Sequence, residues 1–286
     1  MNKKAGLKNI FRDNDSRVRR MLSQWIPPAL LQLVKSLFFR FGFFGNYSSW
    51  EDARQHSTGY DIPQILEKTR VALLKVKRGE AIYERDSVLF ERKEHFYPLL
   101  ACLLFAGSES DGRISILDFG GSLGTSYYQC REFLPGLQEW SIVEQKTYVD
   151  CGKRDFEDAI LKFYYSIKEC VGKRKPNVLL ASSVFQYLEH PYDVLKSILD
   201  YKFEYFIIDR TPFIYNDHDV LTVQRVNPSI YDASYPCWFL GYTKFIQLVR
   251  EKYDLLDEFD SLGKPVFLQH GRVGKWKGFF AKRRVC

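Results

Sequence analysis

The chain has 286 residues, 45% of them hydrophobic, 16% aromatic and 27% charged, with a formal charge of +7. This excludes a disordered chain, which would lack the apolar surface to offset its conformational entropy, and allows one large core or two small ones. The charge sits at the ends: residues 1–24 carry +5, residues 271–286 carry +6, and the body between them −4. Uniform basicity would point to nucleic acid, because phosphate neutralisation needs Lys and Arg across a contact face. Terminal basicity fits an anionic membrane surface as well.

Along the chain, Pro27 and Pro28 can open a helix in which Leu30, Val34, Leu37, Phe38 and Phe41 share one face. That face either packs on the protein or lies on a membrane. The apolar stretch Ile26–Phe44 is interrupted by Lys35 and Arg40 and is too short for a span, so no transmembrane helix is expected. A signal peptide is not expected either, since no small-residue cleavage site follows. Ser48-Ser49-Trp50-Glu51 has capping-box form and starts a second helix, and Asp61-Ile62-Pro63 a third, running to about Gly79. Next come Glu84, Arg85 and Asp86 between apolar flanks, either an exposed turn or a ligand contact. Tyr97–Phe105 reads as a short buried helix.

From Arg113 the pattern alternates. Strands are expected at 114–118, 140–144, 162–166, 177–182 and 205–209, with helices between them, then a helix over 243–253 and strands at 254–261 and 276–282. Residues 213–238 read as a long aromatic connection. Such alternation predicts an α/β fold, a Rossmann-like doubly wound, mostly parallel sheet with an antiparallel terminal strand pair, preceded by an N-terminal helical cap. The expected division is a basic leader and amphipathic helix over 1–48, the cap over 49–112 and the sheet domain over 113–286.

Ligands of such sheets bind beyond the carboxyl ends of the strands, where strand order reverses. The turn Asp118-Phe119-Gly120-Gly121-Ser122-Leu123-Gly124 follows the first strand of the alternation, and Glu144 ends the second. Glycines bring backbone close to a ligand, and an acid at the second strand's end can accept both hydroxyls of a ribose. The pair points to a bound nucleoside. The dinucleotide spacing G-x-G-x-x-G fails, since Ser122 stands where its second glycine belongs.

The turn instead resembles the acid-x-Gly-x-Gly-x-Gly loop of class I S-adenosylmethionine-dependent methyltransferases, with Ser122 replacing the middle glycine. The blocks Glu84–Ser87, Leu117–Gly124, Val143–Gln145, Ser182–Leu188 and Ile208–Phe213 together resemble one bacterial methyltransferase family associated with cell-surface polysaccharide loci. The resemblance runs from about Trp50 to Ala281. It implies S-adenosylmethionine as cofactor, held by Asp118, Gly120, Gly121, Ser122, Gly124, Glu144 and Ser182, with Asp118 near the methionine end and Glu144 on the ribose. It also implies a small-molecule or glycan acceptor.

Methyl transfer to a hydroxyl needs a base, and Asp209, Tyr187 and His190 are the candidates on the relevant loops. His190 is also readable as a solvated loop residue. Arg85, Asp86 and Arg210 are candidate substrate contacts, Arg210 either clamping an anion or pairing with Asp209. Asp217-His218-Asp219 is poor evidence for a metal, and the six scattered cysteines have no zinc spacing, so no metal is expected. Reduced thiols fit a cytoplasmic protein, with peripheral contact at the inner membrane face through residues 1–45 as a further expectation. Two rival readings are a nucleic-acid methyltransferase and a membrane-docked binding protein without turnover.

Overall fold

The computed structural model describes residues 41–284 except 60–61, 86, 91–95, 216–217, 229 and 262. The leader and the amphipathic pattern over residues 1–40 therefore lie outside the described residues, as does Asp86. The described chain begins with strand β1 (Gly42–Tyr47), followed by helices α1 (Trp50–Gln55) and α2 (Ile62–Lys77), strands β2 (Tyr83–Arg85) and β3 (Val88–Phe90), and helix α3 (Tyr97–Glu109). Then come β4 (Ile114–Phe119), α4 (Thr125–Cys130), β5 (Leu137–Val143), α5 (Lys146–Asp155), β6 (Leu161–Tyr164), α6 (Ile167–Lys173), β7 (Val178–Ser182), α7 (Pro191–Asp200) and β8 (Tyr205–Ile214). The last part holds β9 (Val220–Arg225), β10 (Ser234–Gly241), α8 (Tyr242–Arg250), β11 (Tyr253–Asp260), β12 (Val266–Phe267) and β13 (Val273–Arg283).

Strands β6, β5, β4, β7 and β8 lie side by side in that order, all parallel, and β13 closes on β8 antiparallel with β11 beyond it. This is the expected doubly wound, mostly parallel sheet. Strand order reverses between β4 and β7, which makes their carboxyl ends the crevice. The central strands are buried on both faces and read as apolar runs, as Val178–Ser182 shows with five buried residues in succession. One face packs Trp140, Phe163 and Leu103; the other packs Phe185, Phe213, Phe245 and Phe279. Phe213 meets Phe245 and Phe279 edge to face at 5.2 and 5.3 Å. Such aromatic pairs add about 0.5–1.5 kcal/mol each beyond their burial.

Several local expectations change. Gly42–Tyr47 is not the end of a helix but a strand, paired antiparallel with β9. The second helix is capped by Ser49, which accepts the Asp52 amide, one position later than the sequence box suggests. The stretch around Glu84 is a hairpin, β2 with β3, so the region before the sheet is not wholly helical. The aromatic connection over 213–238 contains β9 and β10, which extend the sheet with β1. Pro236 disguises β10, because proline argues against a strand interior. It sits opposite Val223 in the antiparallel ladder.

Strand β8 is the seam between the two parts of the sheet. It pairs with β7 up to Asp209, then with β10 only at Phe213 and Ile214. On its other edge the β13 register slips between Lys277 and Phe279. The bulge thus falls at Asp209–Arg210, at the ligand edge, where bulges re-aim side chains.

Candidate active site

The turn after β4 alternates into left-handed backbone, with φ of 72° at Gly120, 55° at Ser122 and 104° at Gly124. A side chain at Gly120 would strike Val184 at 2.5 Å, and one at Gly121 would lie 2.5 Å from the Asp118 carboxyl carbon. Gly120 is therefore required by packing as well as by backbone, and Gly121 by packing alone. The Gly120 amide donates to the Val143 carbonyl at 2.9 Å, tying the turn to the end of β5. Ser122 adopts the glycine-like conformation that the middle position demands, so its replacement of glycine leaves the loop shape intact at about 1–2 kcal/mol of strain.

Glu144 and Asp118 flank this turn. The Glu144 carboxylate accepts the Ser122 amide at 3.3 Å and the Gln145 amide at 2.7 Å, and burial nonetheless raises its pKa. Asp118 is 1% exposed and accepts the Trp140 indole N–H at 3.0 Å. Burial pushes its carboxyl up to about 7, opposed by that hydrogen bond and by the charge of Arg210. Asp118 near the end of β4, Glu144 just after β5 and Arg210 on β8 belong to neighbouring strands of the sheet around the strand-order switch.

A second group lies where β7 ends beside the middle of β8, which runs on to Ile214 rather than stopping at Asp209 as the sequence suggests. Asp209 is 2% exposed, and both its oxygens are taken: Ser182 donates at 2.9 Å and Ser261 at 2.7 Å. The Arg210 Nε donates to Ser182 Oγ at 3.1 Å and lies 3.6 Å from Asp209. Ser261 also accepts the Arg210 amide at 3.0 Å, and buried Gln186 donates to the Arg210 carbonyl at 3.3 Å. Side chains thus satisfy the backbone that the bulge frees. Ser183 and Arg210 have φ of 59° and 47°. With Ser122, three non-glycine residues, two just after β4 and β7 and one at the β8 bulge, hold left-handed backbone, a strain that concentrates at functional sites.

The remaining predicted residues are dispersed. Tyr187 donates to Gln224 of β9 at 2.9 Å and packs edge to face on Tyr235. The His190 side chain is 72% exposed, 3.9 Å from Glu189. Arg85 places its guanidinium 5.1 Å from the Phe90 ring centroid. Its neighbour Glu84, 2% exposed, accepts the Thr125 hydroxyl and the Ser87 amide, both at 2.7 Å, and fastens the β2–β3 hairpin to the start of α4. In the tripeptide considered for a metal, Asp217 lies outside the described residues and Asp219 accepts the Gly241 amide at 2.7 Å and Lys244 at 3.1 Å. Among the described residues no three His, Cys, Asp or Glu side chains form a metal-holding group, and no helix is long and apolar enough to cross a membrane.

Sequence reasoning left Glu84 open between an exposed turn and a ligand contact, and passed over Trp140, Gln186 and Ser261. Glu84 carried a signal, an acid inside an apolar run. The others reach the crevice only through tertiary packing.

No protein-family profile matches the chain, and no curated protein matches it in sequence. Solved structures do match in shape. A Burkholderia thailandensis 1,6-didemethyltoxoflavin-N1-methyltransferase, solved with bound 1,6-didemethyltoxoflavin and S-adenosylhomocysteine, is 12% identical, covering 86% of this chain and 97% of its own at a TM-score of 0.45. The N-terminal domain of EvdMO1, solved with S-adenosylhomocysteine and D-fucose, is 14% identical, covering 79% and 98% at 0.45. Human N-acetylserotonin methyltransferase in complex with S-adenosylmethionine is 12% identical, covering 78% and 58% at 0.44.

Proposed function

We propose that this chain is an S-adenosylmethionine-dependent methyltransferase acting on a hydroxylated small-molecule or glycan acceptor in surface-polysaccharide assembly. The observation that carries the reading is the pairing of Glu144 with the glycine turn at the strand-order switch. Two backbone amides orient its carboxylate there, as a ribose contact requires. The cofactor supplies a methyl group on a sulfonium, open to in-line displacement.

The residues present suit that group. Glu144 accepts ribose hydroxyls. Asp118, buried and raised toward neutrality, ionises when a cationic amino group arrives beside it. Ser182, Asp209 and Arg210 brace the seam through hydroxyl bonds, a positioning role in place of the base expected of Asp209. The acceptor side is supported by Tyr187, Gln224 and Tyr235, which combine ring surface with hydroxyl and amide groups. The acidic body between basic ends favours a small acceptor over nucleic acid. A cytoplasmic location, with membrane contact through the leader, belongs to the same proposal; loss of liposome co-sedimentation on deleting residues 1–40 tests it while sparing β1.

Calorimetry with S-adenosylmethionine and S-adenosylhomocysteine is the direct test. Binding of both is expected, and Glu144→Ala weakens it more than about tenfold, the loss of ~1.4 kcal/mol or more of charge-assisted hydrogen bonding. Failure of either cofactor to bind at millimolar concentration overturns the reading; an unchanged affinity of Glu144→Ala removes the ribose contact. Turnover of glycan precursors, read as a mass gain of one CH₂, tests the acceptor class.

A further inference from the structure

A cleft of about 240 Å³ opens between the start of α7 and strand β10, lined among others by Glu189, His190, Tyr192, Asp193, Asp219 and Trp238. The local sequence builds it. Pro191 takes the first helical position of α7, which leaves Glu189 and His190 just before the helix and Asp193 in its first turn. Trp238 forms the opposite wall from β10. Its indole N–H donates to the Leu188 carbonyl at 3.1 Å and its ring stacks on Trp50. The ring is held in place with its one donor already used, so what it offers a ligand is π surface.

The charges in the cleft do not balance. Asp219 is matched, since Lys244 lies 3.1 Å away and Tyr192 and the Gly241 amide also donate to it. Among the described residues the one ion-pair partner of Glu189 is His190, at 3.9 Å, and an imidazole offers no permanent countercharge. Among the described residues Asp193 has no ion pair. Among the described residues, three carboxylates therefore stand against one ammonium, and the excess is negative. One wall of the cleft already shows the matching chemistry: the Lys244 ammonium sits 3.8 Å from the Tyr192 ring centroid while paired with Asp219. An aromatic face beside a carboxylate is what holds a cation with an apolar shell, and tryptophan is the best such face.

We propose that this cleft is a binding site for an alkylammonium group, seated on Trp238 between Glu189 and Asp193. The site is independent of the methyl-transfer reading, because neither probe below carries a nucleoside. The test is a titration of the full chain, at low salt, with choline and with its uncharged isostere 3,3-dimethylbutan-1-ol. It is followed by calorimetry and by the tryptophan indole N–H signals in NMR, that of Trp238 assigned with Trp238→Phe. Saturable choline binding in the millimolar range is expected, with the isostere at least about tenfold weaker. The double variant Glu189→Gln/Asp193→Asn changes exposed groups only and keeps the native spectrum; it weakens choline about tenfold. Equal binding of the two probes, no saturable choline binding up to about 200 mM, or full affinity in the double variant overturns the proposal.

Discussion

Asp118 and Asp209 are both aspartates at the residue where their strand's parallel pairing with β7 ends, and both are almost fully buried, yet their surroundings differ. Asp209 has each oxygen filled by a serine hydroxyl and an arginine beside it. Asp118 has one side-chain donor among the described residues, the Trp140 indole, and a glycine where any larger residue would crowd it. A saturated buried carboxylate holds strands together. An undersupplied one retains lone pairs for a ligand, and burial raises the Asp118 pKa. Position where the parallel pairing runs out thus marks both residues as candidates, and the count of donors separates their surroundings.

The sharpest way to break this contrast is to remove each carboxylate. Asp209→Ala strands Arg210 and two serine hydroxyls at the seam and should cost about 3 kcal/mol in denaturant unfolding, the scale for breaking a buried charge pair. Asp118→Asn should change stability by less than about 1 kcal/mol near pH 7, since the carboxyl it replaces is half neutral there, while weakening S-adenosylmethionine binding about tenfold. Equal stability losses in both variants would end the distinction.

Crowding the undersupplied carboxyl comes next. Gly121→Ala sets a methyl 2.5 Å from the Asp118 carboxyl carbon and should cost about 1–3 kcal/mol, read by thermal unfolding, with loss of cofactor affinity.

The pH dependence has a definite sign. Folding raises the Asp118 carboxyl from 3.8 to about 7, so the native state holds more protons than the unfolded chain between those values. The contribution of Asp118 to stability therefore falls as pH rises through that window, and Asp118→Asn should remove that part of the slope. Cofactor affinity should move the opposite way, rising through pH 7 as the carboxylate forms. The smallest effect is expected at Ser122→Gly, which relieves a φ of 55° and should stabilise the chain by about 1 kcal/mol with cofactor binding retained.

The crevice itself was largely legible in the sequence. Asp118, the glycine turn and Glu144 stand at ends of apolar runs, and a parallel strand declares its own end when the run stops. The catalytic assignments were less legible. Asp209 looked like a free acid because Ser261 lies more than fifty positions away, and nothing local announces that its hydroxyl closes on Oδ1. The strands β9 and β10 stayed hidden behind Pro236 and an aromatic-rich composition, since pairing partners rather than propensity decide whether such segments are strands.

By itself, the sequence determined the alternation of strands and helices, the turn that faces the ligand edge and the acid that ends the second strand. Those features follow from periodicity, glycine conformational freedom and charge at the end of a buried run, all of which act over a few residues. Tertiary structure decided which carboxylates are satisfied, that β8 changes partners at Arg210, and that Trp238 meets Glu189 and Asp193 across one cleft. Hydrogen-bond saturation and charge balance are sums over every neighbour in space, and those neighbours come from segments far apart in the chain.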